Sequence, residues 1–283
     1  MTQAAPSRPA MILTTRFLVP RILLTGAAGA AFTLLGACQT VAADASAPPA
    51  SPPQATSPQT GPQATSPVGA QPQVEPGFTY VYPDMVMDRN PGLTGIMDAR
   101  RATAKAAYDK LMATYDNKAG GPPASELISA MRWVADSETA GLTVMLGDGA
   151  SYEGGAHGMN WTDSLIWDRK AGKVVGFADL FTDAARAKAA LLPAYCNALD
   201  RERLDKRGEP TAKSEIFGNC PDPFENEVYP TGVVNGRYTQ IGFSLAPYTA
   251  GPYAEGQYNF NIPLDAALQA LVKPSYRALF VAK

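Results

Sequence analysis

One histidine, His157, occurs in 283 residues, and it sits in the run Tyr152-Glu153-Gly154-Gly155-Ala156-His157-Gly158. An imidazole so placed has two classes of use. It can act as a general base, oriented by Glu153 or Asp163 and paired with a serine such as Ser151 or Ser164. Alternatively its two ring nitrogens pin a glycine turn, one donating and one accepting, where the backbone leaves polar groups in need of partners. No motif around it supplies an oxyanion hole. The chain also has no G-x-S-x-G, no G-x-x-x-x-G-K and no H-E-x-x-H. A lone histidine cannot form a two- or three-histidine zinc site, and no D-x-D-x-D-G calcium loop is present. The expectation is therefore no catalytic residue, no metal and no cofactor. The run from Tyr152 to His157 is read as a structural turn or a partner contact.

The elements that must carry this turn follow from pattern. Phe78–Met87 alternates and reads as a strand, bent at Pro83. Ala104, Tyr108, Leu111 and Tyr115 fall on one face of a helix expected over Arg100–Tyr115. Leu127–Val134, Leu142–Leu146 and Met159–Trp167 read as strands, with a hairpin turn at Lys170-Ala171-Gly172-Lys173 and a return strand over Val174–Phe177. Asp183 caps a helix running to about Lys206, restarted at Pro193. Val233–Val234, Tyr238–Leu245 and Tyr258–Ile262 are further strands, and Leu264–Val272 is a short helix. Helices and strands are segregated, which predicts an α+β fold with antiparallel sheet and packed helices.

Before this lies a different kind of chain. Arg8, Arg16 and Arg21 precede an apolar run from Ile22 to Leu35 that ends in Leu35-Gly36-Ala37-Cys38. Residues 1–37 read as an export signal, with Met11 as an alternative start. The ending resembles a lipobox, in which Cys38 is acylated and becomes the first mature residue. The other reading is an ordinary signal peptide and a buried cysteine. Acyl chains anchor by about 0.8 kcal/mol per buried methylene, so lipid on Cys38 would hold the protein to a membrane. By resemblance to bacterial lipoprotein sorting signals, Gln39 in place of aspartate implies an outer membrane facing the periplasm in a diderm host. Residues 38–76 repeat Pro-Gln-Ala-Thr-Ser-Pro at 53–58 and 62–67 and carry too little apolar surface to fold. They read as a disordered tether spanning roughly 35 Å on average.

Loss of 1–37 leaves 21 basic against 26 acidic residues, a net charge of −5. That balance argues against nucleic acid, whose phosphates demand basic surface. The two remaining cysteines, Cys196 and Cys220, suggest a disulfide outside the cytoplasm, with free buried thiols as the alternative. Tyr248, Tyr253, Tyr258 and Phe260 form an aromatic group near the C-terminus. Exposed, Tyr248 and Tyr253 could contact a sugar face or a protein; buried, all four are strand core. Trp133, Trp161 and Trp167 carry the same two readings. The run Arg201–Arg207 reads as a solvated helix end.

The order of the motifs resembles a known family. The Tyr152–Gly158 turn is followed by Trp167-Asp168-Arg169-Lys170-Ala171-Gly172-Lys173 and by Ala178-Asp179-Leu180-Phe181. Phe243-Ser244-Leu245-Ala246-Pro247-Tyr248 and Gly251-Pro252-Tyr253-Ala254-Glu255-Gly256 come later. This is similar to the RsiV-like and PdaC-like envelope proteins, which pair DUF4163 and DUF3298 domains. The resemblance implies a DUF4163-like part over 77–170 and a DUF3298-like part over 171–283. The family includes a lysozyme-binding anti-sigma factor and domains attached to peptidoglycan deacetylases. Here Ala171 replaces the usual turn threonine, Thr249 stands where an acid is expected, and one histidine cannot supply a deacetylase metal site. The expectation is a non-enzymatic, lipid-anchored binding protein of the cell envelope, recognising lysozyme or peptidoglycan. An envelope hydrolase using His157 and a purely structural lipoprotein are the alternatives.

Overall fold

A computed structural model describes residues 75–116, 121–212 and 216–283. The expected signal, Cys38 and almost all of the expected tether lie outside the described residues. The first strand, β1 (Gly77–Val81), is shorter than its alternating pattern suggests, and the expected strand through Met87 is corrected at this point. Pro83 takes up an extended conformation at the start of a helix, α1 (Asp84–Arg89), so Met85 to Met87 are helical. A second helix, α2 (Pro91–Thr114), begins well before the expected Arg100, with Pro91 in its first turn where a missing N–H costs nothing. Between them Asn90 is buried. Its side-chain N–H donates to Val86 O at 2.9 Å, and its Oδ1 accepts from the Thr143 hydroxyl at 3.3 Å.

β1 runs parallel to the next strand, β2 (Ile128–Glu138), with Gly77 opposite Ile128 and Val81 opposite Arg132. The two intervening helices make this parallel return possible. β3 (Leu142–Tyr152), β4 (Met159–Asp168) and β5 (Lys173–Val175) follow in antiparallel order, giving a five-stranded sheet β1-β2-β3-β4-β5. The β4–β5 hairpin closes on Asp168, whose Oδ1 accepts from the N–H groups of Lys170 and Ala171. The residue 170–171 division of the sequence falls inside this turn.

A separate three-stranded antiparallel sheet holds β6 (Glu227–Val234), β7 (Arg237–Leu245) and β8 (Tyr258–Pro263). Pro230 lies within β6, which is why the sequence pattern shows only Val233–Val234. β6 is an edge strand, where an absent N–H is tolerated. The helix α3 (Ala184–Arg207) starts on Asp183, whose carboxylate accepts from Arg186 N–H at 3.0 Å, as its cap pattern predicts. It does not restart at Pro193. That residue is on the exposed side, so the carbonyl it leaves unpaired faces water. Two short helices, α4 (Ala266–Leu271) and α5 (Pro274–Arg277), close the chain.

Two cores result. On one face of the larger sheet, Met131, Trp133, Met145, Leu165 and Trp167 pack with Val86, Met87, Leu93 and Met97 of α1 and α2. On the other face, Leu142, Val144 and Ile166 join a larger core with α3 and β6–β8. Within it the Tyr195 ring lies 4.8 Å from Phe243 and 5.6 Å from Phe260. Trp133 and Trp167 are thus core, and half-buried Trp161 lies over its cross-strand neighbour Gly149. The α+β class with antiparallel sheets and packed helices is what the pattern predicts. The parallel β1 edge and the division into two sheets were not legible in it.

Candidate functional site

The His157 turn joins β3 to β4. Gly154 and Gly155 have φ of 94° and 99°, a left-handed region closed to most side chains, which explains the glycine pair. The Tyr152 hydroxyl donates to Gly155 O at 3.1 Å and fixes the turn from within. The His157 ring is exposed and stands against a second loop, between β7 and β8, that contains Tyr248 and Tyr253. It stacks on Tyr253, with ring centroids 3.7 Å apart and planes at 18°. Tyr248 lies 6.3 Å from His157 and 5.8 Å from Tyr253. Two motifs some ninety residues apart in sequence are therefore one ring trio.

The hydrogen bonds assign the tautomer. His157 Nδ1 is 2.9 Å from Gly158 O, and a carbonyl only accepts, so Nδ1 carries the proton. Nε2, 3.2 Å from the Tyr248 hydroxyl, then accepts from it in the neutral ring. Glu153 is exposed at the turn, and the Ser164 hydroxyl donates elsewhere, to Glu227 Oε2 at 2.6 Å. Of the aromatic group, Tyr258 and Phe260 are buried and belong to the core, whereas half of Tyr248 is exposed.

The basic run at the end of α3 holds the tyrosine loop, so its reading as a solvated helix end is corrected. Arg203 is fully buried. Its Nε donates to Ala250 O at 3.0 Å and its terminal nitrogens to Asn219 O at 2.8 Å and Asp200 Oδ1 at 3.0 Å. Lys206 Nζ donates to Glu255 O at 2.5 Å and Gln257 O at 2.6 Å and lies 4.3 Å from the Tyr258 ring centre. Burial lowers its pKa. Arg207 grips the Glu255 carboxylate with two bonds of 2.9 and 3.0 Å. Burial on its own would raise the Glu255 pKa. Hydrogen bonds from Arg207 and Tyr258 outweigh it and hold the group below its ordinary range. Spacing along a helix shows only that such charges are dense; it does not reveal a loop folded over them.

Cys196 of α3 is disulfide-bonded to Cys220, with Cα atoms 5.6 Å apart. The bond lies close to the Arg203–Asn219 contact and fastens the same stretch of chain.

A second polar feature has no motif in the sequence. Glu227, at the start of β6, reaches the flank of β4 and accepts from the Ser164 N–H at 2.8 Å as well as from its hydroxyl. Beside it opens a cleft of about 360 Å³ walled by Val174, Val175, Phe177 and Phe224. Burial raises the Glu227 pKa, opposed by the Ser164 bonds, and burial likewise raises that of Asp163. A carboxyl whose folded pKa is raised contributes most stability below its unfolded value of about 4.3. It loses that contribution as pH rises through the folded value. Glu227→Gln, which keeps an acceptor for Ser164, should therefore raise the melting temperature at pH 7. The gap should close as the pH falls to about 4. Scanning fluorimetry at both pH values checks this; a lower melting point for the variant at pH 7 contradicts it.

Among the described residues no group of histidine, cysteine and carboxylate side chains is placed to hold a metal, and no helix is long and apolar enough to cross a membrane.

Two solved structures are similar to this chain. One is a DUF3298 family protein from Pseudomonas aeruginosa PAO1, 21% identical, covering 72% of this chain and 86% of that one, with a TM-score of 0.45. The other is a member of the DUF3298 family from Bacteroides fragilis NCTC 9343, 17% identical, covering 70% and 73%, with a TM-score of 0.41. No family model and no curated protein matches the chain. At these identities and scores, neither site nor function is carried over from the two structures.

Proposed function

We propose that this chain is a non-enzymatic binding protein of the cell envelope, anchored by lipid on Cys38 and belonging with the DUF4163–DUF3298 proteins. Its ligand is lysozyme or peptidoglycan glycan. The observation that carries this reading is the ring trio of exposed His157 and Tyr248 with half-buried Tyr253, built from two separate loops. Stacked rings that remain partly exposed offer a flat apolar face with hydroxyl and imidazole groups at its rim, suited to a sugar face or to a protein anchor. Buried Arg203, with Lys206 and Arg207 beside it, holds that face in place before any ligand arrives, which lowers the entropy cost of binding. The acidic balance favours encounter with a cationic lysozyme, as a salt-sensitive increase in association rate.

Calorimetry of the purified protein with lysozyme and with muropeptides tests the reading. Saturable binding to one of them is expected, and Tyr253→Ala should weaken it by about tenfold, the loss of one aromatic anchor. The melting temperature should change little, because the ring trio is at the surface. Binding to neither ligand removes the proposal. Mass analysis of the membrane-extracted protein, with and without Cys38→Ala, tests the anchor.

A further inference from the structure

β5 pairs only with Ile166, Trp167 and Asp168, so the rest of β4, back to Met159, has β3 on one side and no strand on the other. Hydrogen bonds show which backbone groups face that open side. Arg169 N–H donates toward β3, to Gly141 O at 2.9 Å, whereas Ser164 N–H donates outward to Glu227. Along an antiparallel strand alternate residues face the same side. Thr162 and Asn160 therefore direct their N–H and C=O groups outward with Ser164. Among the described residues neither of those N–H groups has a partner.

Unpaired edges of this kind are templates for another strand unless a charge, a bulge or a covering loop blocks them. Glu227 blocks one position, at Ser164. The β7–β8 loop approaches the next, where the Thr162 hydroxyl donates to Gln257 Oε1 at 3.0 Å, but the outward N–H groups of Thr162 and Asn160 are left. One end of the edge runs into the His157 turn. The other runs into the cleft walled by Val174, Val175, Phe177 and Phe224. The charges along it are mostly acidic. Asp163 lies near enough to raise the Glu227 pKa, the Arg100 cation acts on both, and Glu153 stands exposed at the near end. A second copy of this chain is a poor occupant, because pairing β4 with itself brings these carboxylates together on an edge shielded from water.

We propose that the open edge of β4, from Asn160 to Thr162, is a docking site for an extended basic segment of another polypeptide, which adds as a further strand and seats an apolar side chain in the Val174–Phe177–Phe224 cleft. Backbone bonds to Asn160 and Thr162 supply the ladder, and Glu227 with Asp163 selects a basic residue. The cleft accepts one apolar group beyond the end of the paired segment. The inference shares the reading of the protein as a binding protein but uses a surface other than the ring trio.

A labelled, end-blocked peptide of about seven alternating lysine and valine residues, a typical strand length, is the probe. Fluorescence anisotropy with the purified protein should show saturable binding. Methylating the peptide nitrogens that face β4 should weaken it by about tenfold, the loss of a pair of backbone hydrogen bonds. Thr162→Pro, which removes an outward N–H without touching the β3 ladder, should weaken it to a similar extent, whereas Thr162→Val, which loses only the hydroxyl bond to Gln257, should not. Glu227→Gln should weaken it severalfold. The idea is overturned by absence of saturable binding, by equal binding of the methylated peptide, or by equal binding of an alternating glutamate–valine peptide. If circular dichroism shows Thr162→Pro unfolded, the methylated-peptide comparison on the parent protein decides the matter. Lysozyme and muropeptide binding report on the ring trio alone, so the two readings fail separately. A concentration-dependent dimer that competes with the peptide would show that the edge serves a second copy, and would also overturn it.

Discussion

Replacing Arg203 by methionine should reduce the free energy of unfolding by about 3–5 kcal/mol, read as a fall in the urea midpoint with an unchanged slope. The side chain is fully buried, and it donates to two main-chain carbonyls, Ala250 O and Asn219 O, besides Asp200. Methionine fills most of the volume and supplies no donor. Each carbonyl then stays buried without a partner, and each such loss from a charged donor costs about 1.5–3 kcal/mol. Arg203→Lys should recover little, since a single ammonium cannot reach partners lying in different directions from a planar fork. A midpoint within the error of the parent protein would show that the two carbonyls find water instead. Because Ala250 belongs to the tyrosine loop, the variant should also blunt any binding that depends on Tyr248 and Tyr253.

The second large effect is expected from the disulfide. Cys196 and Cys220 are separated by 24 residues, and opening a loop of that length removes about 3–3.5 kcal/mol in the chain-entropy model. A double Cys→Ala variant, or reduction of the parent protein, should lower stability by that amount. The interest lies in the pairing with Arg203. Asn219 is adjacent to Cys220, so covalent bond and guanidinium fasten the same stretch of chain to α3. The combined variant should lose less than the sum of the two separate losses, because the second fastening constrains little once the first is gone. Strict additivity would mean that the two act on independent regions of the fold.

How much of this was legible in the sequence differs by element. Asp183 announced α3 because a cap is a local event, and Leu142–Leu146 and Tyr238–Leu245 announced themselves by β-branched and aromatic runs between turns. β1 could not be assigned a partner, since parallel pairing with β2 depends on two helices in between. The start of α2 was hidden by Gly92 and Gly95, whose low helix propensity is overcome by burial of Leu93 and Met97. The two halves of the ring trio were each visible as motifs, but their contact was not, since it requires the second sheet to place the β7–β8 loop beside the β3–β4 turn. Glu227 gave no signal at all. Its role follows from β5 being only three residues long, and no periodicity encodes where a neighbouring strand stops.

The parallel edge strand has a mechanical consequence. β1 is the first strand of the described fold, so a pull arriving from the N-terminal side loads the β1–β2 ladder first, together with Tyr80, whose hydroxyl accepts from core Trp133 Nε1 at 2.9 Å. When the pull runs along the strand, the pairs from Gly77–Ile128 to Val81–Arg132 share the load and yield together. When it runs across the strand they open in succession, beginning at Gly77, at far lower force. β1 is thus positioned as a tear strip, able to detach while the four antiparallel strands and the ring trio remain intact.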